Sequence, residues 1–445
     1  MLARERWTTV AQSTHPPSLG RDAVAGIQWL LFMFANTVVI PVSVGAALHL
    51  SPVAVSGFMQ RSFLFTGLAC LLQLLFGHRL PLMEGQSGVW WGVILTVLTG
   101  AAEAGQPLSQ AGGSLEMGIL ASGILIMIFG VMGLGRFLRK YFTPMAMSVF
   151  LILLAVQLIS IFFQGMVGLT HARHIDVKTT VLSIALIILV VTLSLRGARL
   201  LSNFAILIGI ASGWAVYRIA IHPSAPLHAA PFASLFTPFA WGSPSFHAGI
   251  LITALITGLI NTTNTVTTIE NAQFLFHQKS TNRDYVRSFL VTGFNTVLSG
   301  LIGLVPYAPY TSSLGFLRST QIFARRPFAI GAILFMLLGL IPLAGSFLST
   351  LPVSVGDAVL LVAYLQLFGS ALQVIEGVTF NHKTIYRIAL PTLVGIAIYV
   401  TPASAFLTIP SAVRSFVSSG LLVGVAVSVI LENTIKWNRA EIPSA

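Results

Sequence analysis

The sequence predicts an all-α polytopic membrane protein of fourteen transmembrane segments, built as two inverted seven-span repeats with spans 3 and 10 broken. Three observations predict it. Only 8% of the 445 residues are charged, 55% are hydrophobic and the mean hydropathy is +0.88, whereas soluble domains carry ~25% charged residues. Lysine and arginine alternate along the chain as positive-inside topology requires. Polar and proline motifs recur at one fixed offset in the two halves.

One helical crossing needs ~20 apolar residues. Apolar segments occur at 26–48, 52–76, 86–100, 114–135, 142–165, 178–196, 199–219, 247–270, 286–305, 310–323, 327–346, 354–375, 384–401 and 414–433. Segments 86–100 and 310–323 are too short to cross alone. Each follows a proline-bearing stretch, Pro81-Leu-Met-Glu-Gly and Pro306-Tyr-Ala-Pro-Tyr. An extended lead-in to a half-helix completes such a crossing, provided protein or a water-filled cavity satisfies its backbone.

With residue 1 in the cytoplasm and fourteen crossings, 19 of the 24 Lys/Arg fall on cytoplasmic pieces, and the outer stretch 219–246 has none. Both termini are thus expected on the cytoplasmic side of a cell inner (plasma) membrane. The net charge of +12 is read as topology rather than as a nucleic-acid surface. The single Cys70 excludes an internal disulfide or a thiolate cluster. Residues 1–25 lack an apolar h-region and read as a tail, not a signal peptide. No Walker motif is present.

An offset of 225 carries Asn36-Thr37 to Asn261-Thr262, Pro81 to Pro306 and Ser87 to Ser312. Seven spans separate the copies, and an odd number inverts the second, a secondary-transporter signature that places the binding site at the broken helices. The expected organisation is a cytoplasmic tail 1–25, a first repeat 26–219, an outer loop 220–246, a second repeat 247–433 and a tail 434–445.

Four groups of residues could carry chemistry. The half-helix starts, Gly85-Gln86-Ser87-Gly88 before Trp90 and Tyr310-Thr311-Ser312-Ser313, offer backbone N–H donors and a partial positive charge to a flat heterocycle or an anion; small residues there also permit plain helix packing. Thr257, Asn261, Asn264, Thr265 and Thr268 share one helical face, as cavity lining or as interhelical hydrogen-bonding groups. Glu84 and Asp357 are the carboxylates expected deepest, as proton or cation relays; Glu84 could instead pair with Arg79, and Asp357 could cap its helix. Glu103, Glu270, Glu376 and Glu432 fall near span ends and are expected to be wet. The ten histidines lie in tails, loops or span ends, and His171/His174 read as an ordinary outer loop. No metal, cofactor or enzymatic chemistry is expected.

Gln28-Trp-Leu-Leu-Phe-Met-Phe-Ala-Asn36-Thr-Val-Val-Ile-Pro41 resembles the first-span motif of the nucleobase–ascorbate transporter family, which includes uracil and xanthine permeases. Pro81-Leu-Met-Glu-Gly-Gln-Ser-Gly88 is similar to that family's third-span start. Ser312-Ser-Leu-Gly315 with Thr320-Gln321 sits where its span-10 signature falls. The resemblance covers the whole chain and is nearest the bacterial purine-permease branch. It implies a core domain (spans 1–4 and 8–11), a gate domain (5–7 and 12–14) and a homodimer. Five positions depart from the family: its span-8 glutamate reads Asn261, its following histidine Thr265, its span-10 Glu or Gln and then Asn read Ser312-Ser313, and the histidine of its first-span Gln-His pair reads Trp29 after Gln28.

The expected function is a permease for a purine of the xanthine, uric acid or hypoxanthine class, working by alternating access. Backbone N–H groups of Ser87, Gly88, Ser312 and Ser313 would meet the ring's carbonyls. Asn36, Gln86, Asn261 and Thr265 would read its edge, and Trp90 or Tyr310 would stack on it. The alternatives are a uniporter or anion exchanger for a ureide or small organic anion, and a non-transporting receptor. The coupling candidates are Asp357 and Glu84. Since neither lies on span 8 or 10, the expectation is downhill transport.

Overall fold

The computed structural model describes residues 19–133, 141–169, 174–198, 201–202, 204–221, 227–435 and 437. Residues 1–18, His171, 438–445 and the side chain of Glu103 lie outside them.

Among the described residues the regular elements are helices apart from two short strands. In the first half the elements are α1 (Leu19–Thr37), α2 (Val39–Ala47), α3 (Pro52–Leu75), β1 (Glu84–Gln86), α4 (Gly88–Glu103), α5 (Leu108–Val131), α6 (Pro144–Met166), α7 (Val177–Arg196) and α8 (Ala205–Ala220). A 3₁₀ turn at Phe232–Phe236 lies in the connecting stretch. The second half holds α9 (Ala248–Phe276), α10 (Asn282–Ile302), β2 (Tyr307–Pro309), α11 (Ser312–Thr320), α12 (Arg325–Gly339), α13 (Pro342–Leu348), α14 (Val353–Val374), α15 (His382–Val400), α16 (Ser411–Val417) and α17 (Gly420–Thr434).

Among the described residues, seven helices are long and apolar enough to cross a bilayer, eight if α12 and α13 count as one. The chain is therefore a multi-pass membrane protein. Several segments differ from the sequence reading for local reasons. The first helix starts at Leu19, seven residues before the expected first span. Segment 327–346 is not one rod: α12 and α13 meet at 87°. Pro342 opens α13, and Ile341 before it is extended at φ −95°, ψ 104°, as the residue preceding a proline prefers. Segment 414–433 is split at Ser418–Ser419, and the Ser419 side chain starts α17 by accepting from Leu422 N. Asp357 does not cap its helix, because α14 begins at Val353 behind Pro352.

Helix α10 has a polar face, with Ser288, Thr292, Asn295, Thr296 and Ser299 all buried. Its glycines explain the packing. A methyl group on Gly293 would lie 2.8 Å from Gly123 O of α5, and one on Gly300 would lie 2.7 Å from Glu116 O. The two backbones touch, as small residues allow between membrane helices.

Packing divides the helices into two sets. Helix α5 lies against α9 and α10, and α12 against α1 and α3; α14 lies against α6, α7 and α8, and α17 against α6 and α15. The two strands sit with the first set.

Candidate functional site

β1 and β2 pair antiparallel, Glu84 opposite Pro309, Gly85 opposite Ala308 and Gln86 opposite Tyr307. The pairing continues through Ser87 N to Pro306 O at 2.8 Å and Tyr310 N to Met83 O at 2.9 Å. Glu84 and Pro309 are separated by the same 225 residues that relate the sequence motifs. Each strand leads directly into a short helix, α4 or α11.

Side chains alternate across a strand, and the two faces of this small sheet have different chemistry. The face toward α3 is polar. Gln86 Nε2 donates to Ser62 Oγ at 3.1 Å, and Thr66 Oγ1 to the Tyr307 hydroxyl at 3.5 Å. Cys70 Sγ accepts from Glu84 N at 3.2 Å, and Gln73 Nε2 donates to Glu84 Oε1 at 3.4 Å. These α3 residues recur at spacings of three and four, which puts them on one stripe of the helix. The opposite face carries only Gly85 and Ala308. The Tyr310 ring lies over it: a methyl group on Gly85 would be 2.7 Å from the ring carbons. The Tyr310 hydroxyl donates to Gln86 O at 2.5 Å.

Helix α9 covers the free edge of β2. Asn261 Nδ2 donates to Tyr307 O at 2.9 Å, and Thr268 Oγ1 to Pro309 O at 3.2 Å. Asn261 Oδ1 accepts from Ser87 Oγ at 2.5 Å and from Asn264 Nδ2 at 3.3 Å. One amide thus ties the start of α4 to the second strand, and unpaired strand carbonyls at membrane depth are satisfied. Tyr364 of α14 closes the assembly from the other helix set. It is hydrogen-bonded to Tyr310 and stands 5.4 Å from the Phe162 ring centroid. Phe162 in turn lies 5.2 Å from Trp91.

The expected site residues are distributed as follows. Gln86, Ser87, Asn261, Tyr310 and Ser313 meet at the sheet, and Ser313 Oγ accepts from Met83 N at 3.0 Å. Gly88 and Ser312 head α4 and α11. Thr265 is buried on α9 with Oγ1 unpartnered, and Trp90 is buried on α4 with Nε1 unpartnered. Asn36 turns its Nδ2 to Phe32 O of its own helix at 2.8 Å. Two roles need correction. The backbone N–H groups of Ser87 and Ser313 are already engaged, the first in strand pairing and the second with Tyr310 O at 3.0 Å, so the donor-rich cleft is smaller than expected. The Gln86 side chain points toward α3 rather than to the Gly85 face, because strand periodicity sends it there with Glu84.

The acids also differ from expectation. Glu84 makes no ion pair with Arg79; its Oε1 accepts from Gln73 and from Thr292 Oγ1 at 3.3 Å. Asp357 is buried on α14 against Gly165 of α6, apart from the sheet. Glu432 is not wet: it binds Arg387 through two contacts of 2.6 Å, with both side chains nearly inaccessible. Glu116, missed from the sequence, is buried on α5, where Oε1 accepts from Trp241 N at 3.0 Å. The α3 stripe Ser62, Thr66, Gln73 was also missed, although polar residues at helical spacing in an apolar span were a visible signal. Tyr364 had no such signal.

Residues 20–404 match the family model described as Permease family (Xan_ur_permease). The chain is 27% identical to the "Putative purine permease YwdJ" of Bacillus subtilis, covering 94% of this chain and 96% of that protein. It is 25% identical to the "Uric acid permease PucJ" of the same organism, over 91% and 90%, and 23% identical to its "Xanthine permease", over 93% of each. Among solved structures, the transmembrane domain of the cyanobacterial bicarbonate transporter BicA superposes with a TM-score of 0.58 at 14% identity, covering 94% of this chain and 97% of that one. Murine Slc26a9 gives 0.60 at 12%, covering 95% and 69%. At these identities the superpositions report the fold. The family match spans most of the chain, and the protein, a membrane permease and not an enzyme, belongs to the Permease family.

Proposed function

We propose that the protein carries a purine of the xanthine, uric acid or hypoxanthine class across the cell inner membrane by alternating access. The observation that carries this reading is the bare Gly85–Ala308 face with an aromatic ring already seated on it. A flat heterocycle fits where the Tyr310 ring lies, because neither strand residue projects a side chain into that layer beyond one methyl. Tyr310 would swing to stack on the substrate. Thr265 on α9 and Trp90 on α4, each with an unpartnered polar atom, would complete the recognition. The relatives that match over nearly the whole chain, a uric acid permease and a xanthine permease, support this substrate class.

The proposed topology keeps fourteen crossings with both termini cytoplasmic. The broken crossings 3 and 10 are β1–α4 and β2–α11, and the two helix sets act as core and gate. Tyr364 would be the gate residue that seals the cleft against Tyr310. The protein is also proposed to form a homodimer. An anion exchanger is the weaker reading, because strand pairing and Tyr310 O already take two of the backbone donors that would hold an anion.

Counterflow in proteoliposomes tests the proposal. Labelled xanthine should enter vesicles preloaded with unlabelled xanthine, urate or hypoxanthine, and uracil should compete weakly. Exchange of small organic anions with no purine counterflow would overturn it.

A further inference from the structure

We propose that the stretch between the two repeats is a strap sunk into the outer leaflet and not an aqueous loop. Phe232 and Phe236 turn to lipid acyl chains, and Arg61 and Glu116 clamp the strap backbone to the helices beneath. The inference goes beyond the transport reading and does not depend on the substrate; the proposed topology supplies only the leaflet.

Residues 227–246 contain no Lys, Arg, Asp or Glu, and they hold four phenylalanines and one tryptophan. The strap lies along α3 rather than beyond its end. A methyl group on Gly57 of α3 would lie 2.9 Å from Ser234 Oγ and 3.4 Å from Ala230 Cβ. The Trp241 ring stands 5.9 Å from Phe58, and the Phe236 ring 6.5 Å from Phe65. Helix α3 starts at Pro52, and a helix rises about 1.5 Å per residue. Arg61 therefore lies about 14 Å, and Phe65 about 20 Å, along α3 from that end. The hydrocarbon core is only ~30 Å thick, so contact with Phe65 sets Phe236 at acyl depth.

Irregular backbone at that depth needs polar partners from the protein, and two buried charges supply them. Arg61 Nη1 donates to Ser234 O at 2.7 Å. Glu116 Oε1 accepts from Trp241 N at 3.0 Å, and the N–H groups of Ala240 and Gly242 also serve the carboxylate. Phe239 N donates to Leu301 O at 2.8 Å, and Ser245 Oγ to Gln110 O at 2.8 Å. Charges inside membrane spans are costly and are kept for a role. Here the cation holds an acceptor and the anion holds donors of one uncharged segment, and the two charges attract each other. At the start of α5 the backbones touch. A methyl group on Gly112 would lie 2.5 Å from Trp241 O, and one on Gly113 would collide with Ser243 O. These contacts are to α3, α5 and α10, so the strap travels with the first helix set.

The two sides of the strap differ. Ala230, Leu235 and Trp241 are buried, whereas Phe232 and Phe236 are 58% and 60% exposed, with their rings 6.4 Å apart. Tryptophan and tyrosine, which carry a polar tip, gather at the membrane–water interface. The strap turns its tryptophan inward and presents phenylalanine, which has no polar atom to keep in water. That chemistry fits acyl chains, and it lets the helix set shift in the bilayer without dehydrating a charge.

Nitroxide accessibility tests the proposal. Phe232→Cys, Phe236→Cys and His228→Cys, each in a Cys70→Ser background, are spin-labelled and reconstituted in phosphatidylcholine vesicles. Oxygen reports acyl chains, and a water-soluble nickel chelate reports water. The ratio of oxygen to nickel accessibility should be several-fold higher at positions 232 and 236 than at the exposed position 228. Nickel access at 236 equal to that at 228 would overturn the lipid contact. Protection of 236 from both reagents, with dipolar broadening between labels, would show a second copy covering the face and would overturn it equally. Arg61→Met combined with Phe236→Cys should narrow the nitroxide spectrum and raise nickel access; if that variant does not fold, Glu116→Gln should do the same. An unchanged spectrum would overturn the clamp. Purine transport enters no arm of the test, so failure here and failure of the transport reading are separate results.

Discussion

Asn261 is the position where substitution should be most informative. Its amide makes three hydrogen bonds, to Ser87 Oγ, Tyr307 O and Asn264 Nδ2. Asn261→Ala removes all three and leaves a strand carbonyl and a serine hydroxyl without their partner in a fully buried site. Interhelical hydrogen bonds in membrane proteins average ~0.6 kcal/mol and reach ~1.7 kcal/mol, while an orphaned buried polar group costs ~1–3 kcal/mol. With the strand carbonyl fully orphaned and the serine free to rotate, the expected loss is about 2–4 kcal/mol. Unfolding in mixed micelles should show this as an earlier midpoint. The pairwise part comes from a double-mutant cycle with Ser87→Ala, where a coupling of about 1 kcal/mol is expected for the short Ser87–Asn261 bond. Additive effects of the two substitutions would refute the idea that this amide braces the first helix start to the second strand. Loss of xanthine counterflow with the fold retained would place Asn261 in recognition as well.

Gly85→Val should abolish purine binding in a thermal-shift assay while the protein still inserts, because its side chain fills the layer where Tyr310 lies 2.7 Å from the first added carbon; undiminished binding would move the site. Arg387→Ala should destabilise by about 3–5 kcal/mol, since it leaves Glu432 buried without its counter-charge, and Arg387→Ala combined with Glu432→Gln should recover part of the loss in the same denaturation assay. Single cysteines at the exposed positions His228 and Lys279, in a Cys70→Ser background, should react with impermeant reagent from opposite faces, His228 from outside; labelling from one face would refute the fourteen-crossing topology.

The sequence by itself determined the membrane class and the largely helical make-up of the chain. Those are consequences of composition and local chemistry: apolar length, the sign of loop charge, and prolines that open or interrupt helices at 81, 306 and 342 although Pro391 is carried inside α15. The pair Glu84 and Pro309 shares the offset already visible at Pro81 and Pro306, although the offset alone does not set the register. The bend between α12 and α13 was legible in Pro342, though the apolar run around it concealed the break. The tertiary structure decided which face of each strand is bare and which meets α3. A period of two sends Gln86 and Glu84 to α3 and leaves Gly85 outward, but only the pairing of two segments more than two hundred residues apart fixes which side is which. It also decided what each acid meets. Glu432 and Glu84 look alike in sequence, each a lone carboxylate at the edge of an apolar segment. Arg387 lies 45 residues before the first and neutralises it, while the second meets only an amide and a hydroxyl. Whether a buried carboxyl meets a counter-charge or only neutral donors depends on what packs against it, and packing partners are a property of the folded chain.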